Sequence, residues 1–210
     1  MRAQNARLIS SAKKIVVNPR WQVCEESWEP GRNQFWESIC TIGNGYLGVR
    51  GHTAEPNEVG ETLRGAYIAG VFAPDADGIP EIVHVPDVFA ARVYLDGEEL
   101  SPSPETVSEY TRQLDMRQGV LRRSFVYEKN GRKTLLFFER FASLAHPHIA
   151  GQEIAVTPLN WRGEIDVALL IDADVENRTR QHVRLLHARR FAQDTVLIAA
   201  DIGDGAVRTG

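Results

Sequence analysis

The sequence predicts an all-β protein, an antiparallel sandwich with little helix. Three observations predict it. Short segments rich in β-branched and aromatic residues recur along most of the 210 residues. Turn-forming dipeptides such as Asp96-Gly97 and Asn130-Gly131 separate them. Long stretches with apolar residues at helical spacing are nearly absent. Regularly spaced strands with Gly, Pro, Asn and Asp between them belong to packed antiparallel sheets.

Residues 1–14 are polar and read as a flexible leader or a short helix, and residues 15–210 as one β-sandwich domain. Short strands are expected at Ile15–Val17, Ser38–Ile42, Ala66–Phe72 and Ile82–Val85, with an exposed loop at Pro74–Pro80. One hairpin joins Val93–Leu95 to Glu98–Leu100 through Asp96-Gly97. A second joins Val120–Tyr127 to Thr134–Phe141 through Asn130-Gly131, a pair that tolerates φ > 0 at both turn positions. Along Val120–Tyr127, Leu121, Arg123, Phe125 and Tyr127 share one face and Val120, Arg122, Ser124 and Val126 the other. An arginine on each face implies that neither is wholly buried. A third hairpin is expected from Ile149–Val156 to Ile165–Ile171, and a fourth from Arg184–Phe191 to Thr195–Ala200 across Gln193-Asp194. The closing Gly203–Gly210 stretch reads as a loop.

Composition excludes several function classes. Hydrophobic residues at 43% and charged residues at 25% suit a water-soluble globular domain, and a net charge of −4 offers no attraction to nucleic acid or anionic membrane. No apolar run approaches the roughly 20 residues that span a bilayer. The polar start lacks a secretory core, so the expected address is cytoplasmic. Cys24 and Cys40 form no C-x-x-C pair; two reduced buried thiols are expected, with a single disulfide the alternative.

Gly43-Asn44-Gly45-Tyr46-Leu47-Gly48 matches G-x-G-x-x-G, but a dinucleotide site needs a helix after it, and Gly51, Pro56 and Gly60 interrupt that stretch. A tight turn between strands is the expectation, with Asn44 suited to φ > 0. His146 and His148 are two imidazoles without further ligands, whereas metal sites need three or four. His182 and His187 fall on opposite faces of a strand. No Walker loop, H-E-x-x-H or G-x-S-x-G occurs, and spacing singles out no catalytic pair among carboxylates such as Glu25, Glu37, Asp115 and Asp172. Catalytic, cofactor and metal residues are therefore expected to be absent. Trp21, Trp28, Trp36 and Trp161, with Tyr46, Tyr67 and Tyr110, include types that stack on sugars, though core packing is their commoner use.

An ordered series of segments resembles the amino-terminal domain of glycoside hydrolase family 65. Thr41–Gly51 resembles N-G-Y-L-G-x-R-G, Ala66–Phe72 resembles T-Y-I-A-G-x-[FY], and Glu81–Pro86 stands where the family has E-L-V-N-L-P. Asp96–Leu100 follows, then Tyr110–Arg123, similar to Y-x-R-x-L-D-[ML]-x-x-G-x-L-x-R, then Arg140–Ser143 and Thr157–Trp161 through Asn177. Ala66 replaces the usual Thr, and His84 the common Asn. The family includes the inverting phosphorylases of maltose, trehalose and kojibiose, and some hydrolases.

The resemblance implies a large two-sheet supersandwich that stops before its last strands and leaves an unpaired edge open to self-association. It also implies that the catalytic helical toroid, with its general acid and phosphate groups, lies outside these residues. The implied role is to pack on and shape that C-terminal catalytic domain, with a disaccharide substrate, inorganic phosphate as co-substrate and no cofactor, and with a homodimer compatible. The turn of Gly43, Asn44, Gly45, Tyr46, Gly48, Arg50 and Gly51 is the candidate interface or pocket rim. Tyr110, Arg112, Asp115 and Arg122 form the candidate structural network. A free-standing carbohydrate-binding module is the alternative.

Overall fold

In the computed structural model, residues 7–10, 13–16, 20–56, 62–177, 180–192 and 195–202 are described. In chain order they form β1 (Arg7–Ser10), β2 (Lys13–Val16), β3 (Gln22–Glu25), a 3-10 turn (Pro30–Arg32) leading into α1 (Asn33–Ile39), β4 (Ile42–Gly43), β5 (Leu47–Val49), β6 (Ala66–Ile68), β7 (Phe72–Pro74), β8 (Pro80–Ile82), β9 (Asp87–Leu95) and β10 (Glu98–Glu99). The longer strands follow: β11 (Val107–Asp115), β12 (Val120–Lys129), β13 (Arg132–Ala142), β14 (Ala150–Pro158), β15 (Ile165–Asp172), β16 (Val183–Ala192) and β17 (Thr195–Ile202). Among the described residues strands dominate and helix is confined to α1 and the 3-10 turn before it, so the protein is all-β.

The main layer is a five-stranded antiparallel sheet ordered β14-β13-β12-β11-β3. The opposing layer is built from shorter pieces, chiefly β10-β9-β15 and β4-β5-β6. Phe125, Tyr127, Leu136 and Phe138 from the large sheet meet Ala91, Val93 and Leu100 in one apolar cluster. Val23, Leu114 and Leu121 meet Trp36, Ile42, Val49, Val85 and Phe89 in a second. Both turn dipeptides carry the conformations their residues favour: Asp96 and Gly97 have φ of 52° and 77°, Asn130 and Gly131 of 54° and 75°.

Four expectations give way. Residues 7–10 and 13–16 pair as β1–β2, not as a helix. The predicted strand Ser38–Ile42 begins as the end of α1, and only Ile42 enters a strand, β4. Asn33, Trp36 and Glu37 lie at helical spacing and are all buried. Two of the three are polar, so the apolar period was masked. Ala66–Phe72 is broken at Gly70, whose φ is 82°, into β6 and β7.

β14 and β15 do not pair with each other. β14 extends the large sheet beside β13, and β15 crosses to β9. Side-chain bonds fix that crossing: Asn160 donates to the Gly131 carbonyl and accepts from Lys133 N–H, and Asp96 Oδ1 accepts from Glu164 N–H. β16 and β17 pair as expected, while their Gln193-Asp194 turn, Val17 and the Gly203–Gly210 stretch lie outside the described residues.

Candidate functional site

The Gly43–Gly51 segment is a two-strand ladder, β4–β5, closed by a turn in which Gly45, not Asn44, takes the positive φ, at 89°. Asn44 acts through its side chain. Its Oδ1 accepts from Tyr46 and Leu47 N–H at 3.0 and 2.8 Å, an Asx turn. Its Nδ2 donates to the Ser143 and Pro147 carbonyls, binding the turn to the loop after β13. There the Tyr46 ring meets His148 edge-on, with centroids 4.3 Å apart. Gly48 has open space over its Cα, whereas Gly51 faces the Cys40 backbone with no room for a methyl.

Arg50 leaves the end of β5 and fastens the neighbouring segments. Nε donates to the Leu63 carbonyl at 2.8 Å and Nη2 to the Gln34 carbonyl at 3.2 Å, with Glu37 Oε2 at 4.0 Å. Beside it, Tyr67 Oη and His84 Nε2 are 2.8 Å apart with their rings edge to face. Burial, then the Arg50 charge, lowers the pKa of His84. Arg50 and this Tyr–His pair form one partly exposed polar group, while the turn packs on the loop after β13.

The other predicted group divides across the large sheet. Tyr110 and Arg112 point inward. Arg112 is sealed, its Nε 3.0 Å from Tyr110 Oη and 3.2 Å from Glu25 Oε2, its Nη2 donating to Asn33 Oδ1 at 2.9 Å. Asp115 and Arg122 lie on the opposite face, 4.0 Å apart. There Asp115 accepts from Gln22 and from the Arg117 and Gln118 N–H groups, and Arg122 Nε lies 2.6 Å from Glu139.

The inward row continues beyond what the sequence suggested. Arg123, cross-strand from Arg112, is buried and bonds Glu55 at 2.5 Å with its guanidinium over the Phe138 ring. Arg140, cross-strand from Leu121, donates to Gln152 Oε1 and to the His52 and Phe89 carbonyls. The face carrying Leu121, Arg123, Phe125 and Tyr127 is therefore wholly buried, because Glu55 neutralises the arginine there. His52 Nε2 lies 2.9 Å from Asp87 Oδ2, and both residues are buried. His52, Glu55, Asp87, Arg123 and Arg140 were missed. The usable signal was an arginine alternating with Leu, Phe and Tyr on one strand face, which demands a buried counter-charge.

Burial is the largest cause raising Glu25, to about 7, and also raises Glu37. These carboxyls are 2% and 0% exposed. Cys24 and Cys40 are both free thiols, with Cys40 buried. Among the described residues no three His, Cys, Asp or Glu side chains converge as a metal set. No helix there is long and apolar enough to cross a membrane.

Comparison with known proteins completes the assignment. The family model described as glycosyl hydrolase family 65, N-terminal domain, matches residues 23–206. The chain belongs to this family. Its family 65 relatives include the kojibiose phosphorylase of Caldanaerobacter subterraneus subsp. tengcongensis, 31% identical over 90% of this chain and 25% of that protein. The kojibiose phosphorylase of Escherichia coli K12 is 34% identical over 75% of this chain and 20% of its own length. The maltose phosphorylase of Bacillus subtilis 168 is 27% identical over 79% and 23%. A solved structure provisionally identified as a kojibiose phosphorylase from the human microbiome superposes with a TM-score of 0.76 at 20% identity, over 85% of this chain and 25% of that one. The last comparison bears on fold alone. The family 65 domain here thus spans about a quarter of the length of these relatives.

Proposed function

We propose that this domain is the non-catalytic N-terminal part of a longer enzyme that cleaves α-glucosidic disaccharides, by phosphate or by water, and that it packs on and shapes a catalytic domain downstream. The observation that carries the reading is the fate of its raised carboxyls. A general acid for glycoside cleavage needs a carboxyl whose pKa is raised and which touches substrate. Glu25 and Glu37 have the first property and are closed off from the second, Glu25 by Arg112 and Tyr110, Glu37 by Asn33 and the Leu63 N–H. They are built into the packed interior.

In the complete enzyme, inorganic phosphate or water attacks the anomeric carbon while an acid on the other domain protonates the leaving oxygen. The Gly43–Gly51 turn, Arg50 and the Tyr67–His84 pair are the groups we assign to the contact with that domain. A free-standing carbohydrate-binding module is disfavoured, since the relatives carry the matching region within chains four to five times its length.

The test is phosphorolysis and hydrolysis of kojibiose, maltose and trehalose by the 210-residue chain and by the full-length protein. Glucose or glucose 1-phosphate released by the full-length protein alone is the expected result. Turnover by the 210-residue chain at a comparable rate would overturn the proposal. Full activity and stability of Arg50→Ala in the full-length protein would remove the assigned contact.

A further inference from the structure

Between the two layers lies a cavity of about 20 Å³, lined by His52, Arg112, Arg123 and Arg140 with the apolar Leu121 and Phe138. All four titratable side chains on its wall are cationic or can become so, and no carboxylate belongs to the wall. Two of the guanidiniums have carboxylate partners outside it: Arg112 meets Glu25 at 3.2 Å and Arg123 meets Glu55 at 2.5 Å. Arg140 has none at ion-pair distance among the described residues. Its three hydrogen bonds end on neutral oxygens, at 2.7, 2.7 and 3.3 Å. Burial lowers its pKa to about 10, with Asp87 and Glu55 acting on it only through space. Arg123 uses only Nη2 in hydrogen bonds to the described residues, which leaves donors over, and His52, 3% exposed, has no partner for Nδ1, an atom that donates only when the ring is protonated. Buried charges and donors are normally satisfied, so this wall calls for an acceptor of opposite charge.

We propose that the cavity binds a single halide ion, chloride under ordinary conditions, held by Arg140, Arg123 and Arg112 with His52 as a fourth donor. About 10–15 Å³ suffices for one water-sized particle, so the cavity matches a single small particle, and phosphate, sulfate or a carboxylate is too large for it. The ion accepts N–H groups that no protein oxygen reaches and supplies the counter-charge Arg140 lacks. His52 joins only as the imidazolium, with Nε2–H on Asp87 and Nδ1–H on the halide. Burial is the first cause holding that ring neutral, and the charges of Arg140 and Arg64 act in the same direction, against Asp87. Arg112 and Arg123 face it from the wall. Halide binding therefore takes up a proton and strengthens as the pH falls.

The experiment is thermal unfolding of the 210-residue chain in sodium chloride or bromide against sodium gluconate at matched ionic strength, on both sides of neutral pH. A saturable rise in Tm is expected for the halides alone, about 5–10 °C at a hundredfold excess over the dissociation constant. The rise should be larger on the acid side and lost in Arg140→Gln. Equal Tm values in halide and gluconate, or a halide effect indifferent to pH, would overturn the proposal. Should Arg140→Gln fail to fold, anomalous diffraction from bromide-grown crystals of the unaltered chain decides. A bromide peak among the three arginines supports the site, and a lone water there refutes it.

Discussion

Gly51→Ala should damage this domain far more than its chemistry suggests. A Cβ built on Gly51 falls 2.7 Å from Cys40 Cβ, 2.8 Å from the Cys40 carbonyl oxygen and 3.1 Å from its carbon. Ordinary carbon contacts lie near 3.5–4.0 Å, so the overlap is about 1 Å and mostly against backbone. Cys40 cannot step aside easily. It is 0% exposed, and its N–H closes α1 on the Trp36 carbonyl at 2.9 Å. Moving Gly51 instead disturbs its N–H bond to the Glu37 carbonyl, at 2.8 Å, and the approach of Arg112 Nη1 to its oxygen. Overpacking costs about 1–3 kcal/mol and each weakened hydrogen bond about 1 kcal/mol, so a loss of roughly 3–4 kcal/mol is expected. For a chain of this size that lowers Tm by about 6–16 °C. The control is Gly48→Ala, three residues away, where nothing lies within 4 Å of the added methyl. It should leave stability within about 0.5 kcal/mol or raise it slightly. Calorimetry of the two variants beside the parent chain decides. A Gly51→Ala midpoint within about 2 °C of the parent would refute the claim that this contact is rigid.

Arg123→Met leaves Glu55, 1% exposed, without its cation and should cost about 3–5 kcal/mol; adding Glu55→Leu should restore most of it, as a double-mutant cycle in urea will show. Glu25 is raised from its ordinary 4.5 to about 7, so the folded protein holds that proton more tightly than the unfolded chain. Its contribution is complete below about 4.5 and lost as pH rises through about 7, on the order of 3 kcal/mol, and Glu25→Gln should flatten the pH–stability curve over that window. For Asp87, burial is the largest single influence and would raise the pKa, but the His52 hydrogen bond and charge, the Phe89 N–H and the Arg140 charge together outweigh it and bring the group from 3.8 to about 2. That stabilisation is present above about 3.8 and lost as pH falls through about 2, so Asp87→Asn should weaken the dependence on pH at the acid end of the unfolding curve.

Local features were legible and non-local ones were not. Asp96-Gly97 and Asn130-Gly131 announced their hairpins because the turn conformation belongs to the dipeptide itself. The same local reasoning found the tight turn at Gly43–Gly48 but misassigned its parts. Asn44 proved to act by side-chain hydrogen bonds, which leave its own φ unconstrained, and Gly45 carried the left-handed conformation. The partner of β15 could not be read locally, since Ile165–Asp172 is equally suited to β14 or β9 and the choice is made by Asp96 and Asn160 across the loop. Of the candidate residues, Tyr110 and Arg112 were grouped with Asp115 and Arg122 by sequence proximity. Strand alternation sends the even-numbered pair inward and Asp115 outward, and cross-strand register sets Arg122 beside the outer group.

That alternation also gives the buried arginines a role that apolar residues could not fill. A one-residue slip of β12 against its neighbours would exchange its faces, carrying Arg123 outward and Arg122 inward. Either face of β12 contains apolar residues, Leu121, Phe125 and Tyr127 on one and Val120 and Val126 on the other. Hydrophobicity alone therefore discriminates weakly between the two registers. Charge discriminates strongly: Glu55 and Glu25 wait only on the inner side, and Glu139 and Asp115 meet Arg122 only on the outer. A slip in one direction would bury Arg122 beside Arg140 and leave Glu55 facing Ser124, uncompensated charges costing several kcal/mol; a slip in the other would set Arg122 against Glu55 but take the cation from Glu139 and Asp115. The ionic row thus favours the native register by making the alternative costly. A sheet five strands wide benefits more from that discrimination than from the slightly greater stability of an all-apolar interior.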